Sequence, residues 1–150
     1  MAYEPEELEL TADDCIPRGV DVDEVIAEGW ERDLTAVWRT YHAHAAALGL
    51  DPNSDEPLQV SPEITVTEGE FQRRLAEKNA EYAPVTAIQA LTANARLVDL
   101  LLDFRWVAVN DALNDGKSWT DIAAVLGTTE QSVLEWYTSH RRAASALEKS

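Results

Sequence analysis

The chain has 150 residues, of which 45% are hydrophobic, and its formal net charge at pH 7 is −16. This composition excludes a chain that is disordered throughout, and the length suffices for one domain with a core and appendages. The charge disfavours nonspecific binding to nucleic acid and to anionic membranes, while it favours solubility and basic partners. Solubility alone is the simpler explanation of the charge, because acidic surfaces are common on soluble proteins.

The first seven residues are acidic where a secretory signal needs a cationic region, and Cys15 has no second cysteine with which to pair. Apolar runs are only a few residues long, so we expect no membrane segment. These features predict a cytoplasmic protein.

Residues 1–20 hold four Glu, two Asp and two Pro, with scattered apolar residues between them. Such a composition is typical of a segment that cannot bury enough apolar surface to fold by itself. We therefore predict an acidic, mobile arm over residues 1–20, which orders only on a partner.

An amphipathic pattern begins at residue 21 and continues for about seven turns. Its apolar residues are three or four positions apart, as on one face of a helix. They are Val22, Ile26, Trp30, Leu34, Val37, Tyr41, Ala45 and Leu48. The pattern predicts one long helix despite Gly29, within an acidic helical region over residues 21–93.

Residues 49–67 are rich in proline, asparagine and aspartate, which predicts a loop with at most a short extended piece at residues 64–66. Thr67 and Glu70 have the spacing of a capping box, so a helix should start there and run to Pro84.

A further helix is predicted over residues 85–114, with apolar residues that alternate by three and four. They are Ile88, Leu91, Ala95, Val98 and Leu102. Leu97, Leu100 and Leu101 extend the apolar surface around the helix, which requires contact on several sides. Burial by neighbouring helices of the same chain and a homodimer interface both explain this stripe, and the sequence leaves the two open.

Other chemistry finds little support in the chain. Asp51, Asn53 and Asp55 have the spacing of the first calcium ligands of an EF-hand loop, but Glu56 stands where that loop needs glycine. His42 and His44 lie on different sides of a helix and cannot share a metal ion. No catalytic triad, phosphate loop or cysteine cluster is recognisable. We expect no enzyme activity, no metal and no cofactor.

The most informative segment is residues 118–137, where two short amphipathic helices meet at a glycine. Ala123 supplies the small residue that two steeply crossing helices need, and Gly127 tolerates the positive φ of a tight turn. The remaining apolar positions should face one small core. They are Ile122, Leu126, Val133 and Trp136.

This segment resembles the helix-turn-helix of small bacterial and phage DNA-binding regulators. The resemblance rests on an aromatic anchor, on I-A-x-x-L-G from Ile122 to Gly127 and on T-x-Q-x-V from Thr129 to Val133, and it covers roughly residues 105–145. In that family the second helix enters the major groove and its first residues meet base edges.

The resemblance implies particular contacts with DNA. The implied base-facing residues are Thr129, Gln131, Ser132 and Glu135, and the implied phosphate-facing residues are Ser118 and Thr120. The cations follow two to three turns later, as Arg141 and Arg142, whereas Glu130 and Glu135 lie at the start of the second helix.

Residues 94–150 carry 6 Lys and Arg against 8 Asp and Glu, whereas residues 1–93 carry 6 against 20. We therefore predict an all-α fold of long amphipathic helices followed by a helix-turn-helix domain over residues 94–150. The favoured function is a dimeric DNA-binding transcription regulator that reads double-stranded DNA. The alternative is an interaction protein, in which the acidic residues bind a basic protein partner and the helix-turn-helix serves as a scaffold.

Overall fold

A computed structural model describes residues 7–148 of the chain, with side chains up to residue 141. The described part is mainly helical and divides into two compact units, Met1–Leu97 (unit 1) and Val98–Ser150 (unit 2). The helices are α1 Val22–Glu28, α2 Glu31–Leu48, α3 Glu68–Asn79, α4 Ala87–Asn114, α5 Trp119–Leu126 and α6 Glu130–Glu148. The strands are β1 Pro57–Ser61 and β2 Ile64–Thr67.

The end of the predicted mobile arm is part of the unit 1 core, so that prediction is wrong for residues 15–18. Cys15 and Ile16 are buried, and the Ile16 amide donates to Thr40 Oγ1 at 2.8 Å. Pro17 forms an antiparallel bridge with Tyr82, and the Arg18 amide donates to the Glu81 carbonyl at 3.0 Å. Two apolar side chains and distant backbone partners hold a segment whose composition alone favours disorder.

The predicted seven-turn helix is two helices, because the chain becomes extended at Gly29 and Trp30. Gly29 has φ −69° and ψ 151°, and Trp30 has φ −97° and ψ −170°. The break allows α1 to pack against α2, where their apolar faces form the core of unit 1. Its buried residues in these helices include Val22, Val25, Ile26, Leu34, Ala36 and Val37. A straight helix of the same sequence has no way to bring its two halves into contact.

The loop predicted over residues 49–67 contains a β-hairpin, which corrects the all-α prediction to a mainly α fold. β1 and β2 are antiparallel, with Pro57 opposite Thr67 and Leu58 opposite Val66. Thr67 Oγ1 accepts the Glu70 amide at 3.1 Å and starts α3, as the capping pattern predicts, whereas the Glu70 carboxylate pairs with Arg74 instead. The short, half-exposed strands carry too little alternation to distinguish them from a loop.

α4 starts with a reciprocal cap and occupies nearly the predicted range. The Thr86 amide donates to Gln89 Oε1 at 2.9 Å, and the Gln89 amide donates to Thr86 Oγ1 at 3.2 Å. In unit 1 the helix buries the small side chains of Ala90 and Ala93 completely. Small residues on a packed face permit close approach of a neighbouring backbone.

Unit 2 has its own small core, to which the last part of α4, α5 and α6 contribute. The buried residues are Val109, Ile122, Ala123, Val133 and Tyr137. Half-buried side chains surround them, among them Trp106, Leu113, Trp119, Leu126 and Trp136. The core therefore fixes α5 and α6 against each other, and this pair carries the residues on which the functional prediction rests.

Candidate nucleic-acid interface

α5 begins at a complete capping box. Ser118 Oγ accepts the Asp121 amide at 3.1 Å, and Asp121 Oδ2 accepts the Ser118 amide at 3.0 Å. The hydrogen bond from the Ser118 backbone and the one with its side chain lower the pKa of the Asp121 carboxyl. This box satisfies two amides that the first turn of a helix otherwise leaves without partners.

The turn between α5 and α6 is short and has a left-handed residue at its start. Gly127 has φ 66° and ψ 31°, a region that glycine enters without steric cost. The Thr128 amide donates to the Ala123 carbonyl at 3.1 Å, and Thr129 Oγ1 accepts the Ser132 amide at 3.1 Å. The chain therefore leaves one helix and enters the next within three residues, both ends being capped.

Tyr137 is a central residue of this helix pair that the sequence analysis missed. Its side chain is buried, its ring lies edge-on to Trp119 at 5.2 Å between centroids, and its hydroxyl donates to Asn110 Oδ1 at 2.9 Å. Trp136, which we predicted on the buried face, is only half-buried. Tyr137 lies four residues after Val133, and Trp136 lies three residues after it. Both spacings place a side chain on the same helix face as Val133, so the spacing alone does not distinguish the two residues. Nothing in the sequence pattern singles out Asn110, 27 residues away.

The predicted DNA-facing residues up to Arg141 are exposed in unit 2. They are Ser118, Thr120, Thr129, Gln131, Ser132, Glu135 and Arg141. The side chain of Arg142, the remaining predicted residue, lies outside the described part. Apolar residues of α5 and α6 occupy the opposite side of the pair, in the core. An exposed polar helix face backed by a fixed core is the geometry that major-groove reading needs.

Two of these side chains donate hydrogen bonds to carboxylates. Thr120 Oγ1 donates to Glu130 Oε2 at 3.0 Å, and Gln131 Nε2 donates to Glu135 Oε1 at 3.1 Å. Such contacts orient the amide of Gln131, and they place negative charge at the N-terminal end of α6. Unit 2 carries 5 Lys and Arg against 8 Asp and Glu, a net charge of −3, so phosphate attraction has to come from few positions.

The apolar stripe proposed as a dimer interface is largely exposed. In unit 1, Ile88 and Leu91 are 69% and 57% exposed, and Ala95 is exposed as well. In unit 2, Val98 is 44% exposed and Leu102 is half-buried. Exposed apolar residues at a three-and-four spacing form a helix face that the described residues leave uncovered.

Comparison of the chain with protein-family models, with curated proteins and with solved structures gives no match. Among the described residues, no helix is long and apolar enough to cross a bilayer, and no group of three His, Cys, Asp or Glu could hold a metal ion.

Proposed function

We propose that α5, the turn at Gly127 and α6 form a helix-turn-helix that binds double-stranded DNA, with the first turns of α6 in the major groove. The observation that carries this proposal is the exposed polar face of α6, formed by Thr129, Gln131, Ser132 and Glu135 on a helix that the core of unit 2 fixes. Glutamine recognises adenine through two hydrogen bonds, and glutamate accepts from cytosine N4. The side chains present on this face are thus of types that read bases.

The proposal is tested by selection from random-sequence duplexes at low salt, followed by binding measurements on variants of the full chain. Gln131→Ala should lose about 1 to 3 kcal/mol of discrimination at one base pair. Arg141→Ala should weaken binding to all sequences alike and reduce the slope of affinity against salt by about one. Gln59→Ala, which removes an exposed glutamine of β1 in unit 1, serves as the matched control. Failure to enrich any duplex contradicts the proposal.

We also propose that the exposed apolar stripe of α4 is the interface of a homodimer. A two-fold pair doubles the phosphate contacts of a reader that has few cations, and it matches the symmetry of a palindromic operator. Sedimentation at micromolar concentration should give a dimer, and Ile88→Ser with Leu91→Ser should give a folded monomer, because both side chains are mostly exposed. Val60→Ser, an exposed apolar residue of β1, is the control. A monomeric wild-type protein contradicts the interface.

A second candidate function is binding of a basic protein partner through the acidic surface of unit 1. Exposed carboxylates follow one another along α1 and the start of α2. They are Asp21, Asp23, Glu24, Glu28 and Glu31. Residues 4–33 contain 12 carboxylates and only two cations of their own, although the fold brings Lys78 to Asp13 and Arg39 to Asp14. The remaining charge suits electrostatic steering of a basic partner.

Charge-neutral variants separate this function from DNA binding. Glu28→Gln with Glu31→Gln should slow association with a basic partner recovered from lysate, with the greatest effect at low salt. The same pair should leave DNA binding unchanged or improved, because less negative charge opposes phosphate. Glu77→Gln with Glu81→Gln, on a different part of unit 1, is the control for total charge. If both pairs of substitutions slow association with the basic partner equally, the acidic residues of α1 and α2 do not form a specific docking surface.

A further inference from the structure

A groove in unit 2 lies between α4 and α5 and has a volume of about 480 Å³. Within residues 7–141, its lining residues come from the last part of α4, from Lys117 and from α5, and none of these belongs to α6. They include Arg105, Ala108, Ala112, Lys117, Ile122 and Val125. The groove is therefore separate from the α6 face that we propose to read DNA.

Small and apolar side chains shape this groove. Val109 and Ile122 are buried in its floor, and the short side chains of Ala108, Ala112 and Ala124 leave the space above them. Val125, at its edge, is 86% exposed, which is unusual for a valine on a helix that belongs to a core. An apolar ligand would remove this side chain from water.

Two cations stand beside the apolar surface. Arg105 and Lys117 both line the groove and both are exposed. Within residues 7–141, Arg105 makes no ion pair. Among the described lining residues Asp121 alone is acidic, and its carboxylate is hydrogen-bonded to the Ser118 amide at 3.0 Å. The groove thus offers local positive charge in a protein whose net charge is −16.

We propose that this groove binds a small amphipathic carboxylate, with its apolar ring in the groove and its carboxylate at Arg105 and Lys117. Ligand sites for small molecules typically have volumes of about 300 to 1,000 Å³ and a few convergent polar groups on an apolar lining. A single turn of helix about 10 Å wide occupies about 420 Å³, so the groove has room for little more than one turn of a partner peptide. Its size favours the small molecule, and the proposal does not depend on DNA binding.

The experiment compares two probes of the same shape, 2-naphthoate and 2-naphthylmethanol, on the full-length protein without DNA. Calorimetric titration should show saturable binding of the naphthoate that is at least about fivefold tighter, since the alcohol lacks attraction to the two cations. Backbone amide shifts in an NMR titration should be largest in α5 and in residues 105–112. Raising the salt concentration should weaken the naphthoate complex and leave the alcohol complex unchanged.

Substitutions test the cationic part and the apolar part of the site separately. Arg105→Gln should weaken naphthoate binding about two- to fivefold and leave the alcohol unaffected. Ala124→Leu should weaken both probes, because it fills space on the exposed side of α5 without entering the core. Arg141→Gln removes an exposed cation of unit 2 outside the groove and should change neither affinity. Melting curves check that each variant folds.

Three results would overturn the proposal. The first is equal affinity for the two probes, which removes the role of the cations. The second is amide shifts that are largest outside the groove. The third is a shift of the groove amides on dilution of the Ile88→Ser, Leu91→Ser variant alone, which lacks the proposed α4 interface, because a second copy of the chain is then the occupant of the groove.

Discussion

Glycine follows both α1 and α5, and the junctions that these two glycines form with the next helix differ in how they are specified. At the α5–α6 junction, Gly127 is left-handed, Ser118 caps the helix before it and Thr129 caps the helix after it. At the α1–α2 junction, Gly29 is extended, and the N-cap residue of α2 is Trp30, whose side chain makes no capping hydrogen bond. The α5–α6 junction is specified by the conformational and capping preferences of its own residues, whereas the α1–α2 junction depends on the packing of α1 on α2.

The largest expected effect concerns the contact between α5 and α6. Ala123 is 5% exposed in the unit 2 core, so Ala123→Leu should cost about 1 to 3 kcal/mol by overpacking. Calorimetric melting of the full chain, with amide exchange in α5 as the local readout, measures this loss. Ala124→Leu, one residue further and exposed, is the matched control. A melting curve like that of the wild type for Ala123→Leu would show that the two helices do not meet at this residue.

The next effect isolates the backbone of the turn. A Cβ at Gly127 meets nothing within 4 Å, so the cost of Gly127→Ala is the left-handed conformation itself, about 1 to 2 kcal/mol. Gly127→Asn should cost less, because asparagine tolerates this region better. Chemical denaturation of the wild type and the two variants ranks their free energies of unfolding. If alanine and asparagine are equally harmful, conformational strain does not explain the requirement for glycine.

Capping substitutions should act in opposite directions at the two junctions. Thr129→Ala removes the cap of α6 and should destabilise unit 2 by about 1 kcal/mol. Trp30→Ser supplies α2 with a cap at a residue that is already extended and 63% exposed, and it should stabilise unit 1 by about 0.5 to 1 kcal/mol. Amide exchange in α2 and α6 reports the two changes separately. A loss of stability from Trp30→Ser would indicate that the indole itself holds the junction.

The same contrast explains which parts of the structure the sequence predicts. The starts of α3 and α5, the end of α5 and the apolar core between α5 and α6 follow from residues such as Thr67, Ser118 and Gly127. The burial of Ile16 and its pairing with residue 83 depend on contacts between distant parts of the chain, which a local pattern does not contain. The α4–α5 groove was missed for a similar reason. Its space comes from alanines at helical spacing, which in a sequence look like ordinary helix formers.

The smallest expected effects come from two exposed carboxylates, one in each unit, whose pKa values are lowered by different partners. Hydrogen bonds from Lys78, at 2.9 Å, and from Tyr82, at 2.7 Å, lower the pKa of Asp13. The capping interactions with Ser118 lower that of Asp121. Since both pKa values fall on folding, each carboxylate stabilises its unit above about pH 3.9, the ordinary value, and the contribution is lost as pH falls through the lower folded pKa.

Salt should distinguish the two carboxylates. Screening weakens the attraction between Asp13 and the Lys78 ammonium, so high salt should move the pKa of Asp13 towards its ordinary value. The Asp121 interaction is chiefly with a neutral amide of its own helix terminus, so its pKa should change less. A titration of side-chain carboxyl carbons by NMR at low and high salt measures both, with Asp13→Asn and Asp121→Asn to assign the signals. Equal salt shifts would contradict the distinction between a long-range ion pair in unit 1 and a local cap in unit 2.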